Sequence, residues 1–371
     1  MSSSGKVSVL HGPEVERRLA SWLSTQLPEV DSIAIEGLDS IEFGHSAEML
    51  ICTVISTTGD HVERREIVIR LRPPSPGLLE PYDLRRQFTV LKALEATPVR
   101  APRALWIEES GEVLGRPFLV MGRLEGKVIE REMPAELAAA PERVYAMAIS
   151  AIEQLAQIHL VEAGHPSLHS LAAGDNHLAD ELDFWGSEMA RWQKGPLPMQ
   201  ERVLDELRRQ CPEPTPRVTL VHGDPKSGNF AFVGDEVSAV FDWEMAMLGD
   251  PMMDIGWLEA TWALAYPFSI LTSAQMDELL AHYAQLSGIK VHDRPWYRAM
   301  QIYKMGIIQL VGSMLFDAGH SDDPRLAEMG YAIRMITPPA LEDLGIEEDL
   351  EWGPVLASKE RRATLKAPVV Q

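Results

Sequence analysis

The chain has 371 residues, 46% of them hydrophobic and 24% charged, a balance ordinary for a folded globular protein with room for two domains or two lobes. Its formal net charge of −21 repels a phosphate backbone, so general nucleic-acid binding is disfavoured. Two cysteines, Cys52 and Cys211, exclude a disulfide framework or a cysteine-based zinc site. No apolar run approaches the roughly 18 residues of a membrane span, and Met1-Ser-Ser-Ser-Gly-Lys6 lacks the apolar stretch of a secretory leader, so a cytoplasmic, non-membrane protein is expected.

The first clear unit runs from about Ser32 to Arg123 and reads mostly as strands. Met49 to Ser56 and Arg65 to Arg72 are β-branched runs joined through Thr57-Thr58-Gly59-Asp60, a hairpin signal. In the second run Ile67, Ile69 and Leu71 share one face, and Val68, Arg70 and Arg72 the other. Pro73-Pro-Ser-Pro-Gly77 breaks the sheet, and a helix follows at about Tyr82 to Ala96 with a stripe of Leu84, Phe88, Leu91 and Leu94. The spacing of Gln87 against that stripe turns it inward. Strand-like runs at Ala104 to Glu108 and Pro117 to Gly122 complete the unit. From about Ala135 helical patterns dominate, as in Val144 to Leu160. The expected division is an N-terminal lobe over 1–123, a C-terminal lobe over 124–353 and a loose tail over 354–371.

The chemistry concentrates in His222-Gly-Asp-Pro-Lys-Ser-Gly-Asn229 and the hairpin that follows it. Val218 to Val221 is a short entry strand, and Phe230 to Val233 and Val237 to Phe241 are hairpin arms turning at Gly234-Asp-Glu236. Folding that hairpin sets Asn229 roughly opposite Asp242 at its open end, where an amide oxygen and a carboxylate could share one hard cation. Asp224, in a tight polar loop five residues before Asn229, could project into the same space, and Lys226 adds a flexible cation for phosphoryl oxygens. Phosphoryl transfer requires little more, being chiefly positioning and charge neutralisation. Any one of these residues alone reads as a turn cap; the full set outweighs that reading.

These residues resemble the aminoglycoside phosphotransferase family, over a span from about Ile41 to about Met314. The most specific matches are His222-Gly-Asp-x-x-x-Gly-Asn229, Phe241-Asp-Trp-Glu244 and Leu248-Gly-Asp-Pro251. Val68-Ile-Arg-Leu-Arg-Pro-Pro74 and Pro117-Phe-Leu-Val-Met121 look closest to the branch linked to acyl-CoA dehydrogenases. The resemblance implies an α+β, bilobal, protein-kinase-like fold, with a small β-rich N-lobe carrying one main helix and a larger, mostly helical C-lobe. It implies a kinase using ATP and Mg2+ to phosphorylate a small-molecule hydroxyl, with Asp224 as catalytic base, Asn229 and Asp242 as magnesium ligands, and Asp254 bracing the catalytic loop. In the N-lobe it assigns phosphate cover to Ser46 in Phe43-Gly-His-Ser-Ala-Glu48 and a phosphate-facing cation to Arg70, where relatives often carry lysine. Gln87 stands where the usual glutamate partner would be, and Val120 and Met121 run into the adenine-binding hinge at Gly122. The acceptor suggested by the branch is a hydroxyacyl-CoA, against an aminoglycoside as the alternative. The two N-lobe departures, Arg70 and Gln87, also keep a nucleotide-binding pseudokinase scaffold in view. A metal-dependent hydrolase lacks the His-rich ligand sets expected of it, and a P-loop enzyme lacks its Gly-x-x-x-x-Gly-Lys-Ser/Thr motif. His159, on the inward stripe of its helix, reads as a core histidine, and Trp257 and Trp262 as core packing.

Overall fold

A computed structural model describes residues 12–41, 48–161, 176–213 and 217–354, with 164, 168 and 171 besides. The expected phosphate-covering turn with Ser46 and the tail beyond Pro354 lie outside the described residues. The chain divides into two units: one takes in residues up to 74 with 81–95 and 102–124, and the other 75–80, 96–101 and everything from 125.

The first unit contains α1 (Pro13–Gln26), β1 (Ser32–Ile41), β2 (Met49–Thr58), β3 (His61–Leu71), α2 (Leu84–Leu94), β4 (Ala104–Glu108) and β5 (Phe118–Gly122). Its sheet is antiparallel in the order β1-β2-β3-β5-β4, and the β2–β3 hairpin turns at Gly59-Asp60 because Thr58 pairs with His61. The alternation read from sequence holds: Ile67, Ile69 and Leu71 are fully buried on one face. They pack with Leu50, Cys52, Val54, Phe118 and Val120, and against them lie Leu19 and Leu23 of α1. The helix α1 is additional to the one main helix expected here. Its signals are Pro13 at the start, Glu14 and Glu16 in the first turn, and Leu19 and Leu23 one turn apart.

Arg70 stands on the other face of β3, only 4% exposed, opposite Leu119 of β5 and Met49 of β2. Gln87 is likewise 4% exposed on α2, pointing inward as its spacing predicts. Arg72, at the end of the strand, is exposed. Val120 turns into the α1-side core, while Met121 shares the Arg70 face, since Val68 pairs with Met121 and Arg70 with Leu119. With β5 flanked on both sides, the backbone amides of Gly122 and Arg123 are also engaged, by Arg103 O and Glu66 O.

The second unit holds β6 (Lys127–Val128), α3 (Ala135–Ala138), α4 (Pro141–His159), α5 (His177–Trp192), α6 (Pro198–Arg209), β7 (Thr219–Val221), β8 (Phe230–Val233), β9 (Glu236–Val240) and β10 (Met247–Gly249), then α7 (Met252–Trp262), α8 (Ser273–Ser287), α9 (Arg294–Asp317), α10 (Pro324–Ile336) and α11 (Pro338–Leu344). Two small sheets, β6-β8-β9 and β10-β7, sit among the helices. The helix α9 has the length and composition of a membrane span, but 83% of its most apolar window is buried inside the protein, as in a core helix. It runs against α7 so closely that a Cβ on Gly256 would lie 2.5 Å from the backbone of Tyr297.

Because α1 closes one face of the first unit's sheet, Leu23→Ala is expected to destabilise the protein by about 3 kcal/mol through lost burial and a residual cavity. Denaturant unfolding measures this, and a midpoint unchanged from wild type would show that α1 is not part of that core.

Candidate active site

The second unit builds its polar loop from the inside outward. Asp254, in the first turn of α7, is fully buried. Its Oδ2 accepts the backbone N–H of His222 at 2.7 Å and its Oδ1 that of Gly223 at 2.8 Å. The Nε2 of His159 donates to Oδ2 at 3.0 Å, and the Tyr283 hydroxyl donates to His159 Nδ1 at 2.6 Å. Burial alone would push the Asp254 carboxyl up, but the His159 hydrogen bond and the His222 and Gly223 amides outweigh it, so it is held below the usual carboxylate range. Burial raises the Tyr283 phenol, which keeps it a donor.

Gly223 follows with φ of +84°, and a Cβ there would fall 2.4 Å from the carbonyl oxygen of Met245, so only glycine fits the turn. His222 bridges the loop to the hairpin. Its Nδ1 accepts Asp224 N at 3.2 Å and its Nε2 donates to Phe241 O at 2.7 Å, an assignment of the ring proton that follows from these two partners. The Trp262 indole donates to Pro225 O at 3.0 Å, and its ring lies 4.0 Å from that of Phe268 beneath the loop. These aromatics are structural support for the loop.

Asn229 closes the loop. Its Nδ2 donates to Asp224 O at 2.8 Å and to Asp224 Oδ2 at 3.0 Å, which leaves its Oδ1 as the acceptor end. The hairpin register brings Asn229 beside Phe241, whose N–H donates to Asn229 O at 2.8 Å, and Asp242 stands one residue beyond. Asp242 takes a left-handed conformation, φ 62° and ψ 59°, uncommon for a residue with a side chain and more tolerable for aspartate than for most. The pairing of Phe230 with Val240, after a register shift between Ala231 and Phe232, puts Asn229 opposite Phe241, so Asp242 stands one residue past the roughly opposite place that the sequence suggests.

Asp224 is buried, and among the described residues its Oδ1 accepts no hydrogen bond. Burial pushes its carboxyl above the usual range, with Lys226 pulling it down and Asp242 pushing it further up. Lys226 Nζ lies 3.5 Å from Asp224 Oδ2, and that carboxylate holds the ammonium above the ordinary lysine range against the cost of burial. Thus Asp224, Lys226, Asn229 and Asp242 are held by one short stretch of loop and hairpin. Glu130, unremarked in the sequence, joins them: a Cβ on Gly228 would meet its Oε1 at 2.3 Å, and its charge also acts on Lys226. Nothing in the spacing of a loop after a two-residue strand signals such a contact.

The donor set fits a hard divalent cation: an amide oxygen turned outward by its own N–H bonds, with carboxylates beside it and no soft ligand. Among the described residues there is no group of three or more His, Cys, Asp or Glu side chains that could hold a metal ion.

Asp254→Asn would set an amide N–H against a backbone N–H in a buried place. Amide hydrogen exchange at His222 and Gly223 is expected to speed up, with a stability loss of about 1–3 kcal/mol. Unchanged protection at both amides would show that Asp254 does not hold the loop.

The sequence profile of the phosphotransferase enzyme family matches residues 56–299, well over half of the chain. Acyl-CoA dehydrogenase family member 10 of Mus musculus is 30% identical over 209 residues, 56% of this chain but 19% of that protein, so the chain spans about a fifth of that relative's length. A Ralstonia eutropha structure, itself only provisionally assigned as an aminoglycoside phosphotransferase, superposes with a TM-score of 0.68 at 21% identity, covering 90% of this chain and 99% of its own. A thermostable mutant of aminoglycoside phosphotransferase APH(4)-Ia, in ternary complex with AMP-PNP and hygromycin B, gives 0.55 at 16% identity over 91% of this chain and all of its own. These two likenesses establish the protein-kinase-like fold. With its profile matched across the loop, the hairpin and α7, the chain belongs to the phosphotransferase enzyme family.

Proposed function

We propose that the protein transfers the γ-phosphoryl group of ATP to a hydroxyl of a small molecule, and that the acceptor is a hydroxyacyl-CoA. The observation that carries the reading is the buried Asp224 carboxylate, whose Oδ1 accepts no hydrogen bond among the described residues and which lies beside Asn229 and Asp242. An acceptor hydroxyl would donate to that oxygen, which orients it and takes its proton as the new P–O bond forms and the bond to ADP breaks. Lys226 supplies positive charge beside the same carboxylate for the transferring oxygens. Asn229 Oδ1 and Asp242 would hold magnesium, which supplies charge neutralisation on the phosphates when bound. Arg70 is assigned to the phosphates and Met121 to the hinge; Val120 turns its side chain into the core and its backbone lies between β3 and β4, so it is dropped from the nucleotide site. The AMP-PNP held by the similar APH(4)-Ia structure supports ATP as donor.

Two observations favour the thioester over an aminoglycoside. A relative matched by sequence is named for an acyl-CoA dehydrogenase family. Two acids of α7 and α8 are also committed: Glu259 is held by Arg294 through two guanidinium nitrogens, the shorter contact 2.6 Å, and Asp277 binds the same arginine at 2.8 Å. An aminoglycoside would need free carboxylates there for its ammonium groups.

The test is ADP release with 3- and 4-hydroxyacyl-CoA esters and with kanamycin, each with magnesium and with EDTA. Magnesium-dependent turnover of a thioester and none of kanamycin is the expected result. Turnover of kanamycin alone would remove the thioester and keep the kinase; ADP release unaffected by EDTA would remove the magnesium assignment.

A further inference from the structure

The mechanism leaves one buried charge unused. Lys304, midway along α9, is 3% exposed, and its Nζ lies 3.5 Å from Glu181 Oε2 on α5. The ammonium also sits over two indole rings, 5.5 Å from Trp185 of α5 and 5.4 Å from Trp257 of α7. An ammonium out of water is costly unless its donors are met, and an ion pair of this kind is often replaceable by apolar side chains without loss. Its acceptors are scarce. Glu181 Oε2 is already taken by the Trp185 indole N–H at 3.0 Å. Trp257 Nε1 is buried and has no hydrogen-bond partner among the described residues. Gln301 Nε2 is in the same state, one helical turn before Lys304 on α9. Among the described residues, the junction of α5, α7 and α9 therefore sets the donors of Lys304, Trp185, Trp257 and Gln301 against the Glu181 carboxylate.

We propose that Lys304, Trp257 and Gln301 form an acceptor-binding subsite that takes a carbonyl or carboxylate oxygen of the substrate. Such an oxygen supplies what the junction lacks. A cationic acceptor is disfavoured, because the aromatic surfaces that would receive it already hold the chain's own ammonium. The place suits the reaction: Trp257 lies one turn after Asp254 on α7, the helix that anchors the catalytic loop through Asp254 and Trp262. The inference rests on the kinase reading above and narrows its acceptor to an oxygen-bearing organic acid, free or as a thioester.

Trp185 and Trp257 make the subsite visible, since a ligand on Lys304 should change their fluorescence. Nucleotide-free protein is titrated with 4-hydroxybutyrate, 4-hydroxybutyryl-CoA and kanamycin, and the same is done for Lys304→Met, Lys304→Arg and Glu181→Gln, with ATP affinity as the check on folding. A saturable change with the free acid identifies a carboxylate ligand, and one with the thioester alone a carbonyl. Lys304→Met is expected to weaken that binding at least tenfold, Lys304→Arg to restore part of it, and Glu181→Gln to tighten it by removing the competing carboxylate. A merely structural ion pair predicts the opposite for Glu181→Gln, with thermal stability lost and affinity no better. No saturable change with either acyl probe, or equal affinity in Lys304→Met, overturns the subsite. Kanamycin binding that Glu181→Gln abolishes overturns it in favour of a cation site. Saturable binding of an acyl probe that is never phosphorylated would instead defeat the functional reading and leave the subsite standing.

Discussion

The site depends on one buried carboxylate accepting two consecutive backbone amides. Asp254 takes the N–H groups of His222 and Gly223, which have no place in a strand ladder once β7 ends at Val221. That fixes where the chain turns, and Gly223 alone has the conformational freedom to make the turn under the Met245 carbonyl. Everything further out hangs from it: His222 reaches Phe241, Asp224 reaches Asn229, and Trp262 catches Pro225. The cost of burying Asp254 is offset by three hydrogen bonds, and His159 is itself held by Tyr283.

The outcome is two carboxylates in opposite situations thirty residues apart. Asp254 has both oxygens engaged, by three hydrogen bonds, and is held below the usual carboxylate range; Asp224 is buried with one oxygen that accepts no hydrogen bond among the described residues, and its carboxyl is pushed up. The first arrangement makes a rigid support and the second a group with capacity left for a substrate. A satisfied network thus carries an unsatisfied atom to one defined place, which is how reactive groups are kept accessible without loosening the fold.

Much of this was legible because it is local. The Asp224-to-Asn229 spacing, the Phe230–Val240 hairpin and the alternation of Ile67, Ile69 and Leu71 each involve residues close in sequence or bound to a period of two. The left-handed turn at Asp242 was not legible, since nothing in Val-Phe-Asp-Trp distinguishes it from one more residue of strand. The helix α1 went unread although Leu19 and Leu23 carry its period, because a short stripe with few apolar residues is a weak signal. His159 looked like a core histidine and is one, but its partner lies 95 residues away, so its service to the loop shows only in three dimensions. Lys304 is the extreme case: its partners Glu181 and Trp185 lie on α5 and Trp257 on α7, so its burial shows only once those helices meet α9.

Central to the account is that Asp224 acts on the acceptor hydroxyl and not on the fold or the nucleotide. Single-turnover rapid quench on ATP-loaded wild type and Asp224→Asn, with a hydroxyacyl-CoA acceptor, separates these roles. Phosphoryl transfer is expected to be slower by about two orders of magnitude or more in the variant, with ATP affinity and unfolding midpoint unchanged. Transfer within a few-fold of wild type would contradict it.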